Sequence, residues 1–297
     1  MKQQKVERQS LYSEVTGRII AELEEGRLPW VQPWDSAACG CTMPQNAGTG
    51  RKYSGINVLI LWAEVIHRSF ASQRWLTYGQ AAAAGGNVRR GEKGTIIYYA
   101  DRFTPKAEAE AARGEDREAR QVAFLKRFTV FNVEQCEGLP DTFTPDAVAI
   151  DPVLAIAEAD MLIAASDARF NIGGAEAFYS PMHDFVQVPP QRAFHEPIDW
   201  YRTALHELGH WTGHGRRLDR DQTGGFGSEA YAKEELVAEL AAAFTCASLG
   251  IAPTVRHADY IASWLAVLRD DEKAIFRAAS QASKASDYLM AFAGGEQ

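Results

Sequence analysis

Asp199-Trp200-Tyr201-Arg202-Thr203-Ala204-Leu205-His206-Glu207-Leu208-Gly209-His210-Trp211 is the stretch on which the reading of this chain turns. As a helix it sets His206 and His210 four residues apart, on one face and about a turn from each other, where two imidazoles can share an ion. Glu207 stands beside that face. It is placed to meet a water on the ion rather than the ion itself, which is the station of a general base. The pattern H-E-x-x-H points to metal-assisted hydrolysis of a peptide bond. Zinc is the expected ion, and another divalent cation such as Mn2+ can occupy the same donors. A bound metal would acidify a water and polarise the carbonyl, and Glu207 is placed to receive the proton.

A catalytic zinc takes three protein ligands and keeps one position open, so a third donor is required. His214 is close in sequence, but Gly213 is placed to turn the chain before it. The metzincin spacing asks for histidine at 216, where Arg216 stands. Further on, Glu234-Glu235-Leu236-Val237-Ala238-Glu239 falls in a second helical stretch, with Glu235 and Glu239 on one face. This resembles the gluzincin arrangement. The resemblance implies Glu235 as third ligand and Glu239 as the carboxylate that holds a ligand histidine, with Glu239, His214, Glu234 and Glu229 as alternatives for the ligand. Tyr179 and His183 are candidate donors to a developing oxyanion. Phe185-Val186-Gln187-Val188 reads as the edge strand that would pair with substrate in a zincin.

Around this stretch, 297 residues suggest two units, and the Pro-containing Gly138-Leu139-Pro140-Asp141-Thr142-Phe143-Thr144-Pro145 sets the boundary near 140. The charge changes sign there. Residues 1–140 hold 19 basic and 16 acidic side chains, residues 141–297 hold 12 and 23, and from Arg51 to Arg102 eight Lys/Arg stand against Glu64, Glu92 and Asp101. Helical spacing runs over 8–25, 57–69, 80–84, 153–166, 199–211, 232–248 and 260–282. Thr95–Phe103 and Val122–Val133 read as two strands joined by the charged segment 106–120. Four cysteines without paired C-x-x-C spacing read as reduced thiols. No apolar run approaches the roughly 20 residues of a membrane helix, and the basic start leads into no apolar stretch, so a cytoplasmic protein is expected.

In the basic half, rings and cations alternate, Trp30, Trp34, Tyr53, Trp62, Trp75, Tyr78, Tyr98 and Tyr99 with Arg51, Lys52, Arg74, Arg89, Arg90, Lys93 and Lys126, and the candidate DNA contacts among them are Trp30, Trp34, Tyr53, Trp75, Arg51, Lys52, Arg89, Arg90 and Lys93. Flat faces for bases and cations for phosphates are what sequence-tolerant binding of single-stranded DNA requires. The order Pro29-Trp30-Val31-Gln32-Pro33-Trp34, Asn46, Arg51-Lys52-Tyr53-Ser54-Gly55-Ile56-Asn57, Trp75-Leu76-Thr77-Tyr78-Gly79-Gln80-Ala81 and Gly91-Glu92-Lys93-Gly94 resembles the N-terminal domain of ArdC-type antirestriction proteins. Related domains precede some plasmid-borne DNA primases. The second half, through His206–His214 and Glu235–Glu239, resembles the zincin-like domain that accompanies it. The resemblance implies an α+β protein with an N-terminal antiparallel sheet and helices (1–140) and a C-terminal zincin-like metalloprotease fold (141–297). It further implies a protein encoded by conjugative plasmids that binds single-stranded DNA without sequence preference; a monomer is expected. Such a protein would act on an unidentified protein substrate, with host restriction machinery the first candidate, and help incoming DNA escape restriction. Two other roles fit the same residues: protection by DNA binding alone with a structural or regulatory metal domain, and general proteolysis of DNA–protein crosslinks.

Overall fold

The structure, a computed structural model, describes residues 10–31, 42–105, 108, 112, 122–143, 152–225, 227–253 and 260–293. Helix α1 (Leu11–Glu24) starts where the Ser10 hydroxyl accepts the Ser13 N–H, and it buries Val15, Ile19 and Leu23 along one stripe. Helix α2 (Ile56–Arg68) is entered through Gly55 at φ 61, backbone that a side chain would strain. Helix α3 (Tyr78–Ala83) is short and held by a capping box between Thr77 and Gln80. The strands of this half are β1 (Gln45–Asn46), β2 (Arg74–Thr77), β3 (Asn87–Val88), β4 (Thr95–Phe103), β5 (Val122–Asn132) and β6 (Cys136–Glu137). They form a sheet in the order β1-β2-β5-β4 and a small β3-β6 pair. The larger sheet is antiparallel except where β1 runs parallel to β2.

The second half begins with α4 (Pro152–Ala165) and a three-stranded sheet of β7 (Phe170–Ile172), β8 (Phe178–Ser180) and β9 (Phe185–Val188). Four helices follow: α5 (Pro197–Trp211), α6 (Glu229–Ser248), α7 (Ile261–Asp270) and α8 (Ala274–Ala293). Pro197 at the first turn presets φ for α5, and the Ser228 hydroxyl caps α6 by accepting the Tyr231 N–H. Among the described residues no helix is long and apolar enough to cross a membrane, and neither Cys136 nor Cys246 is in a disulfide.

Two expectations change. The helical stretch 260–282 is two helices, because Asp271 adopts extended backbone and its carboxylate accepts the Lys273 N–H, turning the chain. Phe185–Val188 is not an edge strand: β9 lies between β7 and β8, so its backbone is paired on both sides and β8 supplies the edge. Strands of two or three residues such as β1, β3, β6, β7 and β8 carry too little alternation to be seen in sequence. Segment 106–120 lies outside the described residues apart from Glu108 and Ala112.

One apolar cluster joins the halves. Val15, Ile19, Trp30 and Trp62 of the first pack with Leu240, Phe244, Trp264 and Ile275 of the second. The Trp62 ring meets Phe244 edge-on at 5.6 Å and Trp30 meets Trp264 at 5.7 Å, all four fully buried. Truncation of a buried aromatic costs about 3–5 kcal/mol, and here the loss falls on both halves at once. Trp62→Ala is expected to lower stability by that amount while denaturant unfolding, followed by far-UV circular dichroism and by hydrogen exchange in each half, stays a single transition. An N-terminal half that remains protected after the C-terminal half has unfolded would contradict the shared core.

Candidate functional site

Helices α5 and α6 meet at Gly209. A Cβ there would lie 3.2 Å from the Ala238 carbonyl oxygen and 3.3 Å from its Cα, closer than side chains ordinarily pack, so the two backbones touch because residue 209 has no side chain. His206 faces Glu239 and His210 faces Glu234, which means the helices run antiparallel at this point. Glu235 lies between the histidines. Its two oxygens are 3.5 Å from His206 Nε2 and 3.4 Å from His210 Nε2. Nitrogen and oxygen donors at about 2.0–2.1 Å from a tetrahedral ion are about 3.3–3.4 Å from one another, so these three groups have the spacing of one coordination shell. Donor atoms of His206, His210 and Glu235 all lie within 4.8 Å of one another. Neither His214, past the end of α5, nor Glu229, paired with Lys233 on the exposed first turn of α6, belongs to this group.

Each histidine has a carboxylate on its other nitrogen. Glu239 Oε2 is 3.4 Å from His206 Nδ1 and Glu234 Oε1 is 3.2 Å from His210 Nδ1, contacts that turn both Nε2 atoms toward Glu235. Glu234 is in turn fixed by Arg220, whose Nε and Nη2 donate at 3.0 and 2.7 Å, and by Gln222 at 3.1 Å. Arg220 also donates to the Gly209 carbonyl at 2.7 Å and to Thr212 at 2.8 Å, tying the loop after α5 to that helix. Arg220 and Gln222 escape a sequence reading because they sit on a loop without periodicity. Glu234 is one residue from Glu235, and spacing alone does not say which of two adjacent glutamates faces a histidine.

Four buried carboxylates, Glu207, Glu234, Glu235 and Glu239, gather about two imidazoles and Arg220, a strongly negative cluster for a protein interior. Burial disfavours charged imidazoles, yet Glu235 and Glu239 raise the pKa of His206 to about 9, and Glu234 and Glu235 raise that of His210 to about 10. Burial would push the Glu235 carboxyl up, but its contacts with His206 and His210 hold it far below the usual carboxylate range. The cluster demands positive charge, and a divalent cation between His206, His210 and Glu235 meets that demand.

The group opens into a cleft of about 340 Å³. Glu207, buried at 4 % exposure, lines it beside both histidines. Phe178 and Tyr179 of the β8 edge strand form one wall and Tyr231 another. The Tyr179 hydroxyl donates to Asp184 at 2.9 Å and accepts from Arg217 at 3.2 Å, so it serves a clamp between the β8-β9 hairpin and the end of α5. His183 bonds Ser180 and lies outside the cleft lining. Tyr231, one turn before Glu235, has its hydroxyl 3.0 Å from that of Tyr260 and against Glu235; burial, Tyr260 and Glu235 raise its pKa, so it keeps its proton for donation.

The expected DNA-binding residues divide. Arg51, Lys52, Arg90 and Lys93 are exposed, while Arg89 is exposed but engaged with Glu92 at 2.9 Å. Trp30 and Trp75 are fully buried and Tyr53 is 5 % exposed, so their rings belong to the core and offer no face to a base; the stacking role read for them is withdrawn. Burial also pushes the Tyr53 hydroxyl up to about 12. Trp34 lies outside the described residues. Of the other rings in that alternation Tyr78 and Tyr99 are exposed, and Phe128 joins them. Tyr99 meets Phe128 edge-on at 5.4 Å, and Lys126 lies over Phe128 at 5.2 Å.

A family model of the N-terminal domain of anti-restriction factor ArdC matches residues 9–131, and one of a zincin-like metallopeptidase matches residues 157–281. The antirestriction ArdC protein from plasmid R388 superposes with a TM-score of 0.80 in its metal-free crystal structure, at 37% identity over 97% of this chain and 99% of that one. Its Mn(II)-bound structure gives 0.79 over 97% and 100%. The chain belongs to the ArdC family of antirestriction proteins. Another relative in this family, uncharacterized protein y4eC of Sinorhizobium fredii (strain NBRC 101917 / NGR234), is 38% identical over 95% of this chain and 92% of its own length. A DNA primase TraC of Escherichia coli is 41% identical over 95% of this chain. The chain spans about a quarter of the length of that primase, 27%, and 20% of a second TraC from Escherichia coli at 40% identity over 94% of this chain.

Removing either histidine takes one of three donors. His206→Ala and His210→Ala are expected to abolish stoichiometric zinc binding in calorimetric titration, Glu235→Ala to weaken it severely, and Glu234→Ala and Glu239→Ala each by about 10- to 100-fold. A larger loss from Glu239→Ala than from Glu235→Ala would exchange their roles. Because the ion needs neutral imidazoles and both are held above their ordinary 6.5, protons compete with it. Zinc affinity should climb as pH rises from about 6 toward about 9, and a flat profile over that window would contradict the geometry.

Proposed function

We propose that this ArdC-family chain is a plasmid-borne antirestriction protein that binds single-stranded DNA without sequence preference and carries a zinc-dependent peptidase site, protecting incoming DNA from host restriction. The observation that carries the catalytic part is the placement of Glu207 in the same cleft as His206, His210 and Glu235. Two imidazoles and one carboxylate with an open side suit zinc, and the R388 relative in its Mn(II)-bound form supports acceptance of other divalent ions. When bound, the ion supplies Lewis-acid polarisation of a carbonyl and of a water.

The remaining work falls to the chain's own residues. The free edge of β8 pairs an extended peptide and holds it along the cleft. Glu207 takes the proton of the attacking water and returns it to the departing amine. Tyr231 donates its hydroxyl proton toward the oxygen that gains charge. Glu234 and Glu239 keep the two imidazoles in the tautomer that presents Nε2. DNA binding rests on the cation-bearing exposed surface of the N-terminal half, with Tyr99, Lys126 and Phe128 on it. Its role is to bring the peptidase to proteins acting on entering DNA, with restriction machinery the first candidate substrate, as a cytoplasmic monomer.

The test is a cellular antirestriction assay with Glu207→Ala, which spares the histidines and Glu235. Loss of protection with zinc content and DNA affinity unchanged is the expected result. Full protection by Glu207→Ala would show that proteolysis is dispensable and would favour protection by DNA binding alone. The Lys126→Glu and Arg51→Glu variants should each weaken single-strand binding for all sequences alike and flatten the salt dependence by about one unit per lost phosphate contact.

A further inference from the structure

We propose that a groove between β4 and α8 seats one nucleotide of the bound strand, so that DNA is gripped by both halves of the chain; this rests on the single-strand-binding reading above. The groove has a volume of about 480 Å³, within the range of small-ligand sites, which begins at roughly 300 Å³. Its aromatic wall is Tyr12 of α1 and Phe276 of α8, edge-on to each other at 4.8 Å, and the buried Tyr98 of β4 backs Phe276 at 6.4 Å without offering a face of its own. Tyr99, 46 % exposed, stands at the mouth.

Cations complete the site. Lys273 lies over the Tyr12 ring at 5.1 Å, and Arg277, held by Asp271, presents its guanidinium along the same helix. Ser54, Ser280 and Gln281 add polar groups for a base or sugar. Rings to stack, cations for a phosphate and neutral donors and acceptors together describe a nucleotide. The groove also continues the exposed face: Tyr99 touches Phe128, Lys126 covers Phe128, and Arg51 is near enough for its charge to act on the Tyr99 hydroxyl. A strand lying on Arg51, Lys126 and Phe128 therefore reaches the groove at Tyr99.

An extended peptide is the competing occupant, because β4 is an edge strand. Asn57 closes that edge at the groove: its side chain donates to the Tyr98 carbonyl at 2.7 Å and accepts the Tyr98 N–H at 2.8 Å, taking both groups that an added strand would need. The far wall is fixed as well, since the Gly55 N–H donates to Ser283 of α8 at 2.7 Å and links the start of α2 to that helix. The proposal makes the DNA site composite: Lys273, Arg277, Ser280 and Gln281 come from beyond residue 141, from the acidic half of the sequence.

Ser280 allows a test of sign, because it is exposed in the groove and either replacement adds one long side chain. Full-length protein and a fluorescent dT20 are used in anisotropy titrations over a range of salt. Ser280→Glu is expected to weaken binding about tenfold, and Ser280→Lys to tighten it and to steepen the salt slope by about one unit. Met161→Glu, at an exposed position on α4, carries the same change in net charge and should shift affinity less than twofold. If Tyr99→Ala and Lys126→Glu weaken binding while both Ser280 variants match wild type, the strand bypasses the groove and the proposal falls with the DNA-binding reading intact. Equal effects of Ser280→Glu and Met161→Glu would also overturn it, since only general charge would then be at work. Failure of wild type to bind dT20 at low salt would remove both readings together.

Discussion

Contact between two helix backbones governs the arrangement of this protein's site. Helix α5 approaches α6 so closely at Gly209 and Ala238 that any side chain at 209 would press on backbone atoms. At that separation Glu235 reaches the Nε2 atoms of both histidines, and Glu234 and Glu239 reach their Nδ1 atoms. A wider gap would leave the carboxylates short of one or both rings. The glycine costs about 1 kcal/mol of helix propensity relative to alanine, and the packing of α6 along both α5 and α8 offsets it. The same approach explains why the loop after α5 is stitched down by Arg220, which bonds Gly209, Thr212 and Glu234 together.

Negative charge is the second constraint. Carboxylates outnumber cations among side chains that are largely buried, an arrangement that is costly unless protons or a metal ion balance it. The cluster thus stores its own selectivity for a cation. Helix α6 links this site to the rest of the molecule: its other faces carry Leu240 and Phe244 into the core shared with Trp62 and α8. The halves recognised by two separate family models are consequently packed as one structure, and the groove at Tyr99 lies where they meet.

The candidate metal site was legible in sequence because its signal is local and periodic: His206 and His210 share a face by spacing, and Glu235 and Glu239 do likewise. Long elements such as α1, α2, β4 and α6 declared themselves for the same reason. What sequence hid is whatever depends on partners distant in the chain. Trp30 and Trp75 look like stacking platforms when read with the neighbouring cations, yet Trp264 and Phe70 enclose them from far along the chain or across a turn. Tyr99 and Phe128 become neighbours only through the β4-β5 register, which places Phe128 opposite Ile97. Glu234 and Arg220 acquire a role only once the loop after α5 folds back on the helix pair.

The most direct measurement of the central claim, that α5 and α6 build one three-donor metal site, is anomalous diffraction at the zinc edge from crystals of the zinc-loaded protein. One dominant peak is expected, about 2.0–2.2 Å from His206 Nε2, His210 Nε2 and a Glu235 oxygen, with Glu234 and Glu239 remaining on the Nδ1 side. An ion bound through Glu234 or Glu239 in place of Glu235, or bound only away from α5, would contradict it.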